Sequence, residues 1–392
     1  MRLLAAPLVL PGLRMRRSRA GVIDVRDFGA RGDGAVDDTA AVIRALGAAA
    51  EGDTLWFPGP AAYLIDAVDL GRHGHAGLTL AGDADALLRK APTGRFGGTN
   101  TEHLFFDARS DGASDGLTVR ALAFELSAAA ARPGDTVSAF FLARADGLRF
   151  DACRFVDGIE EGLKLYACRD VEIVDCHFER LRNDGVQVHA PPAGQDGYTG
   201  PRGERGWRNV VIERSTFRAI DDGLGGVEGQ GVTFNSRSPM VTCTGATVRD
   251  CLFERCVRGI WAEVNEPGAR VLDLRIERNR VLESVTIGLG VVGVEDAVLA
   301  RNEVIDPVGA DARSDALAGI VVSGSSAPRP RSRRVDVIGN RILDRRAGRA
   351  RMPVGIVVRQ ADDVRLRGNQ VQGAREESVR IDRTARGVSQ TP

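Results

Sequence analysis

GLRFDACRF at 147–155 and DVEIVDCHF at 170–178 align residue for residue, and the same frame returns along the chain. It reads NVVIERSTF at 209–217, GATVRDCLF at 245–253, DLRIERNRV at 273–281, DAVLARNEV at 296–304, VDVIGNRI at 335–342 and DVRLRGNQV at 363–371. One column holds Cys153, Cys176, Ser215, Cys251, Asn279, Asn302, Asn340 and Asn369. Two places on stand Phe155, Phe178, Phe217, Phe253, Val281, Val304, Ile342 and Val371. Steps of 23, 39, 36, 28, 23, 38 and 29 residues separate the key positions, so the shortest fit one turn of a three-strand coil and the longer ones carry inserted loops. Between these segments lie short alternating strands opened by glycine: GLKLYA from Gly162, GVQVHA from Gly185, GVTFNS from Gly231, GIWAEV from Gly259, GIVVSG from Gly319 and GIVVRQ from Gly355. No amphipathic stretch of helical length separates them, which excludes α/β layers. The fold expected is all-β: a right-handed parallel β-helix in which each coil stacks like residues on like, ~4.8 Å apart. The phenylalanines then form a core stack, the asparagines a turn ladder, and Cys153, Cys176 and Cys251 small inward residues without redox chemistry.

Outside the repeats, Asp38 or Thr39 is placed to cap a short helix ending near Ala50, which would cover the open end of the solenoid. The organisation expected is a leader or disordered segment at 1–20, one β-helix domain at 21–383 with its capping helix at about 36–50, and a flexible tail at 384–392. The leader faintly resembles an export signal but is broken by Pro7 and Pro11. The alternatives are a disordered leader or a natural start near Met15.

The 392 residues carry 53 Lys+Arg against 53 Asp+Glu. A general nucleic-acid binder needs basic excess, so that class is set aside. With 43% hydrophobic residues the chain is not disordered, and no apolar run reaches the ~20 residues of a membrane span. Six cysteines in this length do not make a disulfide scaffold.

The stretch VRDFGARGDGAVDDTAAV at 25–42, with LWFPGPAAYLI at 55–65, resembles the N-terminal signature of the pectate-lyase-like β-helix superfamily. Polygalacturonase-type glycoside hydrolases, alginate epimerase modules and phage tailspikes share that signature. Asn183-Asp184-Gly185 is similar to the N-x-D-G element of the polygalacturonase-type enzymes, one residue shorter, and Asp221-Asp222-Gly223 to their adjacent-aspartate element. The resemblance implies that Asp184, Asp221 and Asp222 are catalytic carboxylates. The Gly-His-Gly and Arg-Ile-Lys elements are absent; Gly74-His75 is the nearest approach to the first, and Arg258 is a substitute cation for the second.

The residues themselves support the same class. Coil starts read EEG at 160–162, NDG at 183–185 and DDG at 221–223; stacked as equivalent corners they would bring Asp184 within one rung of Asp221 and Asp222. Neighbouring carboxylates repel, one holds its proton, and acid–base work on a glycosidic bond becomes feasible. Asp-Gly and Asn-Gly are also ordinary turn formers. On the outward face of the glycine-led strands stand Lys164 and Tyr166, Gln187 and His189, Thr233 and Asn235, then Trp261 and Glu263, all expected to face solvent. His189 joins the catalytic candidates; Lys164, Tyr166, Gln187, Asn235, Arg258, Trp261 and Glu263 are substrate-binding candidates, with Trp261, Tyr166 and Tyr198 as sugar-stacking platforms.

Three readings stay open. The first is a glycoside hydrolase acting on a poly- or oligosaccharide. The second is a polysaccharide lyase or uronate epimerase using Lys164, His189 and Tyr166, with Ca²⁺ held by Asp184, Asp221, Asp222 and Glu263 if it is a lyase. The epimerase D-P-H motif is missing. The third is a non-catalytic glycan-binding or spike-like solenoid. Nothing calls for a nucleotide, haem or zinc. The chain is expected as a monomer or homo-oligomer, a trimer among them. The substrate class favours a secreted or periplasmic setting, with a cytoplasmic one left open.

Overall fold

The computed structural model describes residues 21–392 apart from 84, 93, 95–100, 110, 128–134, 193–203, 222–228, 265, 308–316, 325–329 and 348–351. The leader, Tyr198, Asp222 and most of the 191–207 insertion lie outside the described residues.

Three long parallel sheets of 13, 12 and 11 strands run the length of the molecule. After the first two strands, whose partners lie two places on, each strand pairs with the strand three places away in chain order, and the backbone climbs as a right-handed parallel β-helix. The register is the one the repeats dictate: Phe155 pairs with Phe178, Phe178 with Phe217, and Phe217 with Phe253. Their rings lie 4.8 Å apart between centroids and within 10° of parallel, and Phe124 extends the stack below Phe155 at 5.1 Å. The column turns aliphatic above Phe253 with Val281, Val304 and Ile342, all buried.

The asparagine ladder is also present. Asn302 Oδ1 accepts from both the backbone N–H and the side-chain amide of Asn279 at 3.0 Å, while Asn302 Nδ2 donates to the Ile276 carbonyl at 2.8 Å. Asn340 and Asn369 repeat the pattern. In the earlier rungs the ladder position is taken by cysteine or serine. There Cys153 Sγ lies 3.3 Å from the Val119 carbonyl, and burial pushes the Cys251 thiol up to about 12. These are inert packing thiols.

The glycine that opens each outward strand has a packing reason. A Cβ on Gly185 would stand 2.5 Å from the Phe217 ring, and one on Gly231 would stand 2.3 Å from Phe253. The strand must approach the aromatic stack this closely. That approach fixes the register of the neighbouring side chains on the outer face.

At the N-terminal end the helix Thr39–Ala48 lays Ala41, Val42, Ala45 and Leu46 over the core. Asp38 does not cap it. Its carboxylate accepts from the Arg31 and Gly32 N–H groups at 2.7 and 3.1 Å and clamps the preceding turn. The expected loose tail contributes a strand instead: Ser389–Thr391 pairs with Arg365–Arg367 in the largest sheet, with its side chains exposed. Among the described residues no helix is long and apolar enough to cross a membrane.

If the ladders carry the fold, truncating one member costs more than its own contacts. Asn302→Ala leaves the Asn279 amide groups without their acceptor inside the core, and is expected to lower stability by ~2–4 kcal/mol. Phe178→Ala opens a cavity in the stack and is expected to cost ~3–5 kcal/mol. Urea unfolding followed by circular dichroism reads both.

Candidate functional site

The outer face of the 11-stranded sheet changes character along the solenoid. At the lower rungs it is apolar: Phe106, Phe141, Ala143 and Tyr166 pack as one cluster. At the upper rungs it is apolar again, with Ile287, Ala318, Val321, Val354 and Val357 buried together and Trp261 against them. Between the two lie four polar rungs and a cleft of about 350 Å³.

Strand pairing builds the cleft in three columns. Asp184 stands beside Gln230, and Gln230 beside Arg258. Lys164, Gln187, Thr233 and Trp261 form the second column. Tyr166, His189, Asn235 and Glu263 form the third. All of these line the cleft, together with Glu160, Glu161, Asn183 and Arg237. Nine of the eleven residues singled out in the sequence therefore meet in one place.

Asp221 does not join them. Asp221 is exposed and lies outside the cleft lining, and Asp222 is outside the described residues. The corner DDG is not the equivalent of NDG. The residue paired with Asp184 on the next rung is Gln230, because the chain runs through 222–228 before it re-enters the sheet. The neighbouring carboxylate lies on the other side. Leu163 pairs with Val186, and the Gly162 N–H donates to the Asp184 carbonyl at 3.1 Å, which sets Glu161 on the rung below Asp184.

Glu160, Glu161 and Asp184 form an acidic cluster in which Glu160 is half-buried and the other two are buried. Glu161 and Asp184 are 0% and 2% exposed. Asn183 Nδ2 donates to Glu160 Oε2 and to Glu161 Oε1, each at 3.1 Å. Lys164 Nζ is 3.8 Å from Glu161 Oε1, and the Ser138 hydroxyl donates to Glu161 Oε2 at 2.8 Å. Asp184 accepts from the Gln230 N–H at 3.2 Å and from the Gln187 amide at 3.4 Å. Burial, reinforced by the charge of Glu161, pushes the Asp184 carboxyl up to about 8. The same two causes hold Glu160 well above the ordinary carboxylate range.

His189 points outward from the core, as the alternation requires, but it does not face open solvent. It is 3% exposed. The Tyr166 ring meets it edge-on at 5.0 Å, and His189 Nδ1 hydrogen-bonds Asn235 Oδ1. Burial brings its imidazole down to about 3, so the ring is neutral at physiological pH. With Nδ1–H donated to the Asn235 oxygen, Nε2 keeps its lone pair. Tyr166 and Asn235 are likewise buried rather than solvent-facing.

Trp261 is not a bare stacking platform. The Arg258 guanidinium lies 4.3 Å from its ring centroid, its Nε1–H donates to Glu263 Oε2 at 2.9 Å, and its six-membered ring fills the space a side chain at Gly290 would take. The indole holds Arg258 and Glu263 in place. Thr233 Oγ1 is buried with no hydrogen-bond partner among the described residues, an orphan inside a polar cleft.

Of the acids named as a Ca²⁺ set, Asp184 and Glu263 stand apart. Glu263 is five residues further along its strand than the residue paired with the Asp184 column, ~16 Å at strand rise, and it serves Trp261. Among the described residues no three His, Cys, Asp or Glu side chains are grouped to hold a metal.

Residues 22–266 match the family model "Rhamnogalacturonase A/epimerase, pectate lyase-like". The chain belongs to this family. The matched span ends just past Glu263 and so contains the whole cleft. No curated protein matches this family member in sequence. Among solved structures it is similar to PfbA, a surface adhesin of Streptococcus pneumoniae, with a TM-score of 0.68 at 13% identity over 94% of this chain and 90% of that one. It is also similar to a Family 28 exopolygalacturonase of Yersinia enterocolitica, with a TM-score of 0.63 at 12% identity over 95% and 79%. The A-module of the Azotobacter vinelandii mannuronan C-5 epimerase AlgE4 gives 0.55 at 15% identity over 93% and 99%. At such identities the likeness establishes the pectate-lyase-like parallel β-helix and nothing finer.

Sequence reasoning passed over Glu160, Glu161, Asn183, Gln230 and Arg237 as site residues. The EEG corner carried the signal for the first two, since it aligns with NDG through Gly162 and Gly185.

The raised Asp184 carboxyl has a stability signature. In the unfolded chain it titrates near ~3.9, in the folded one about 8, so the folded state alone holds the proton between those values. This contribution is complete below the unfolded value and is lost as pH rises towards 8. The melting temperature should fall between pH 5 and pH 9, and Asp184→Asn should flatten that fall by several degrees. Differential scanning calorimetry at the two pH values checks it.

Proposed function

We propose that the protein is a carbohydrate-active enzyme that hydrolyses a glycosidic bond, with Asp184 as general acid and Glu161 as its carboxylate partner. The observation that carries this reading is the buried pair itself. Asp184 keeps its proton to about pH 8 beside a second buried carboxyl held by Ser138, Asn183 and Lys164. A protonated carboxyl on the wall of a cleft can give its proton to a leaving glycosidic oxygen, and the adjacent carboxylate can stabilise positive charge at the anomeric carbon or take a proton from water.

The remaining lining supports a sugar ligand. It offers Gln187, Gln230, Thr233 and Asn235 as hydroxyl partners. Thr233 Oγ1, unpartnered among the described residues, is the group a ligand hydroxyl would satisfy. Three cations, Lys164, Arg237 and Arg258, share the cleft with Glu161 and Glu263 once Glu160 and Asp184 carry protons. The balance is one positive charge, which favours a glycan bearing carboxylates, such as a uronate. At about 350 Å³ the cleft is near the small end for ligand sites, which suits a short segment or chain end. Solved relatives include an exopolygalacturonase, an epimerase and a phage HK620 tailspike in complex with a pentasaccharide.

A second reading rests on His189. An imidazole on the cleft wall with Nδ1 bonded to Asn235, beside Tyr166 and near Lys164 and Arg237, is placed to take a proton next to a uronate carboxylate, provided that substrate binding raises its low basicity. That chemistry gives β-elimination or epimerisation at C5.

The two readings part on products and variants. Hydrolysis of a uronate oligosaccharide releases reducing ends without new ultraviolet absorbance. It should fall by about 10²–10⁴-fold in Asp184→Asn and in Glu161→Gln, with a basic limb near pH 8 in the wild type. An unsaturated product, or solvent deuterium at C5, abolished by His189→Ala and retained in Asp184→Asn, would establish the second reading and remove the first.

A further inference from the structure

Behind the acidic cluster, away from the cleft, sits a buried hydrogen-bond relay that the proposed reaction does not itself use. Ser138 is fully buried, and its side-chain hydroxyl donates to Glu161 Oε2 at 2.8 Å. The backbone of Ser138 is pinned in turn. Its N–H donates to His103 Nδ1 at 2.9 Å, and its carbonyl accepts from the Leu104 N–H at 3.1 Å. His103 is 1% exposed and packs on Phe141 at 5.3 Å, and burial holds its imidazole well below its ordinary value, so it serves as a neutral acceptor. The other oxygen of Glu161 receives the Asn183 amide at 3.1 Å and faces Lys164 Nζ at 3.8 Å.

We propose that Ser138 and Asn183 are positioning residues that hold the Glu161 carboxylate one rung below Asp184 and thereby set the electrostatic surroundings of the Asp184 carboxyl. The three carboxyls differ in their donors. Glu161 faces a hydroxyl, an amide and an ammonium, each of which stabilises its charged form. Asp184 receives one backbone N–H and one longer amide contact, with the Thr233 side chain also beside it, and Glu160 shares the single Asn183 amide. Glu161 has two shorter neutral donors and a cation close by. The charged and titratable groups around Glu161 are Glu160 and Lys164 on its own strand and the turn before it, Asp184 on the rung above, and His103 behind Ser138 on the side below. Of these only Lys164 is a cation, and at 3.8 Å it is further from Glu161 than either neutral donor. The neutral donors therefore orient the Glu161 carboxylate, and without Ser138 one of its oxygens loses the donor recorded for it. Neither residue is asked to touch substrate. Ser138 is not among the residues that line the cleft, and Asn183 acts here through Glu161.

The inference rests on the hydrolytic reading for its catalytic consequence, but its physical content is testable without turnover. The full chain, labelled with ¹³C at Asp and Glu side-chain carboxyls, would be titrated by nuclear magnetic resonance as wild type, Ser138→Ala, Asn183→Ala and Ser138→Thr, with Glu161→Gln and Asp184→Asn to assign the two resonances. Ser138→Ala and Asn183→Ala are expected to move the Asp184 midpoint down by about one pH unit. Ser138→Thr, which keeps the hydroxyl, is expected to restore it. If the wild type hydrolyses a glycan, the basic limb of its pH–rate profile moves down in the alanine variants in the same way. An unmoved Asp184 midpoint in a folded Ser138→Ala, or activity lowered equally at every pH, would overturn the proposal and leave Ser138 as packing alone. Absence of hydrolysis with a shifted Asp184 midpoint would remove the hydrolase reading and uphold the positioning role.

Discussion

The whole structure depends on parallel strands stacking in register, each residue beside its counterpart one coil away. The spacing is short enough that whatever a column contains must tolerate its own kind as neighbour. Phenylalanine does so by ring stacking, as the 4.8 Å centroid distances from Phe155 to Phe253 attest. Asparagine does so by passing its amide along the ladder from Asn279 to Asn369. Carboxylates do not tolerate it. When the solenoid stacks Glu161 beneath Asp184, the repulsion and the lack of water have to be answered by holding a proton. The regularity that makes the core therefore also makes the unusual acid.

The site lies where the outer face stops stacking apolar side chains. Below it Phe141 and Tyr166 close the face, and above it Ile287, Val321 and Val357 do the same. A polar window four rungs wide remains. Trp261 joins the window to the upper apolar face, because its ring packs where Gly290 leaves room while its N–H and its π-face hold Glu263 and Arg258. Tyr166 plays the corresponding part below, between Phe141 and His189. Each boundary is an aromatic residue with one side in the apolar packing and the other turned to the polar groups.

Much of this was legible in the residues. The repeat fixed the coil register, and the register alone placed Lys164, Gln187, Thr233 and Trp261 in one column and Tyr166, His189, Asn235 and Glu263 in the next. What could not be read was how an insertion returns to the sheet. DDG at 221–223 and GQG at 229–231 both look like coil corners, and only the pairing of Asp184 with Gln230 separates them. Burial was also misjudged. Alternation says that His189 points away from the core, but not that Tyr166, Asn235 and the segments around the cleft cover it. The exposed Asp221 and the buried Glu161 exchange roles for these two reasons.

The fold cannot choose the chemistry, and the neighbours make the point: an adhesin, an exopolygalacturonase and an epimerase share this coil at 12–15% identity. The choice has to lie in the few rungs where columns break their own rule. A solenoid that only bound a glycan would gain nothing from burying Glu161 and Asp184 together, because the cost of their desolvation could be avoided by any amide. Here Gln187 and Gln230 stand within reach of Asp184 and show that amides fit the same face. Glu161 and Asp184 are therefore retained against an easy alternative. Under the hydrolytic reading proposed above, a group kept at an energetic disadvantage beside an open cleft serves proton transfer rather than recognition.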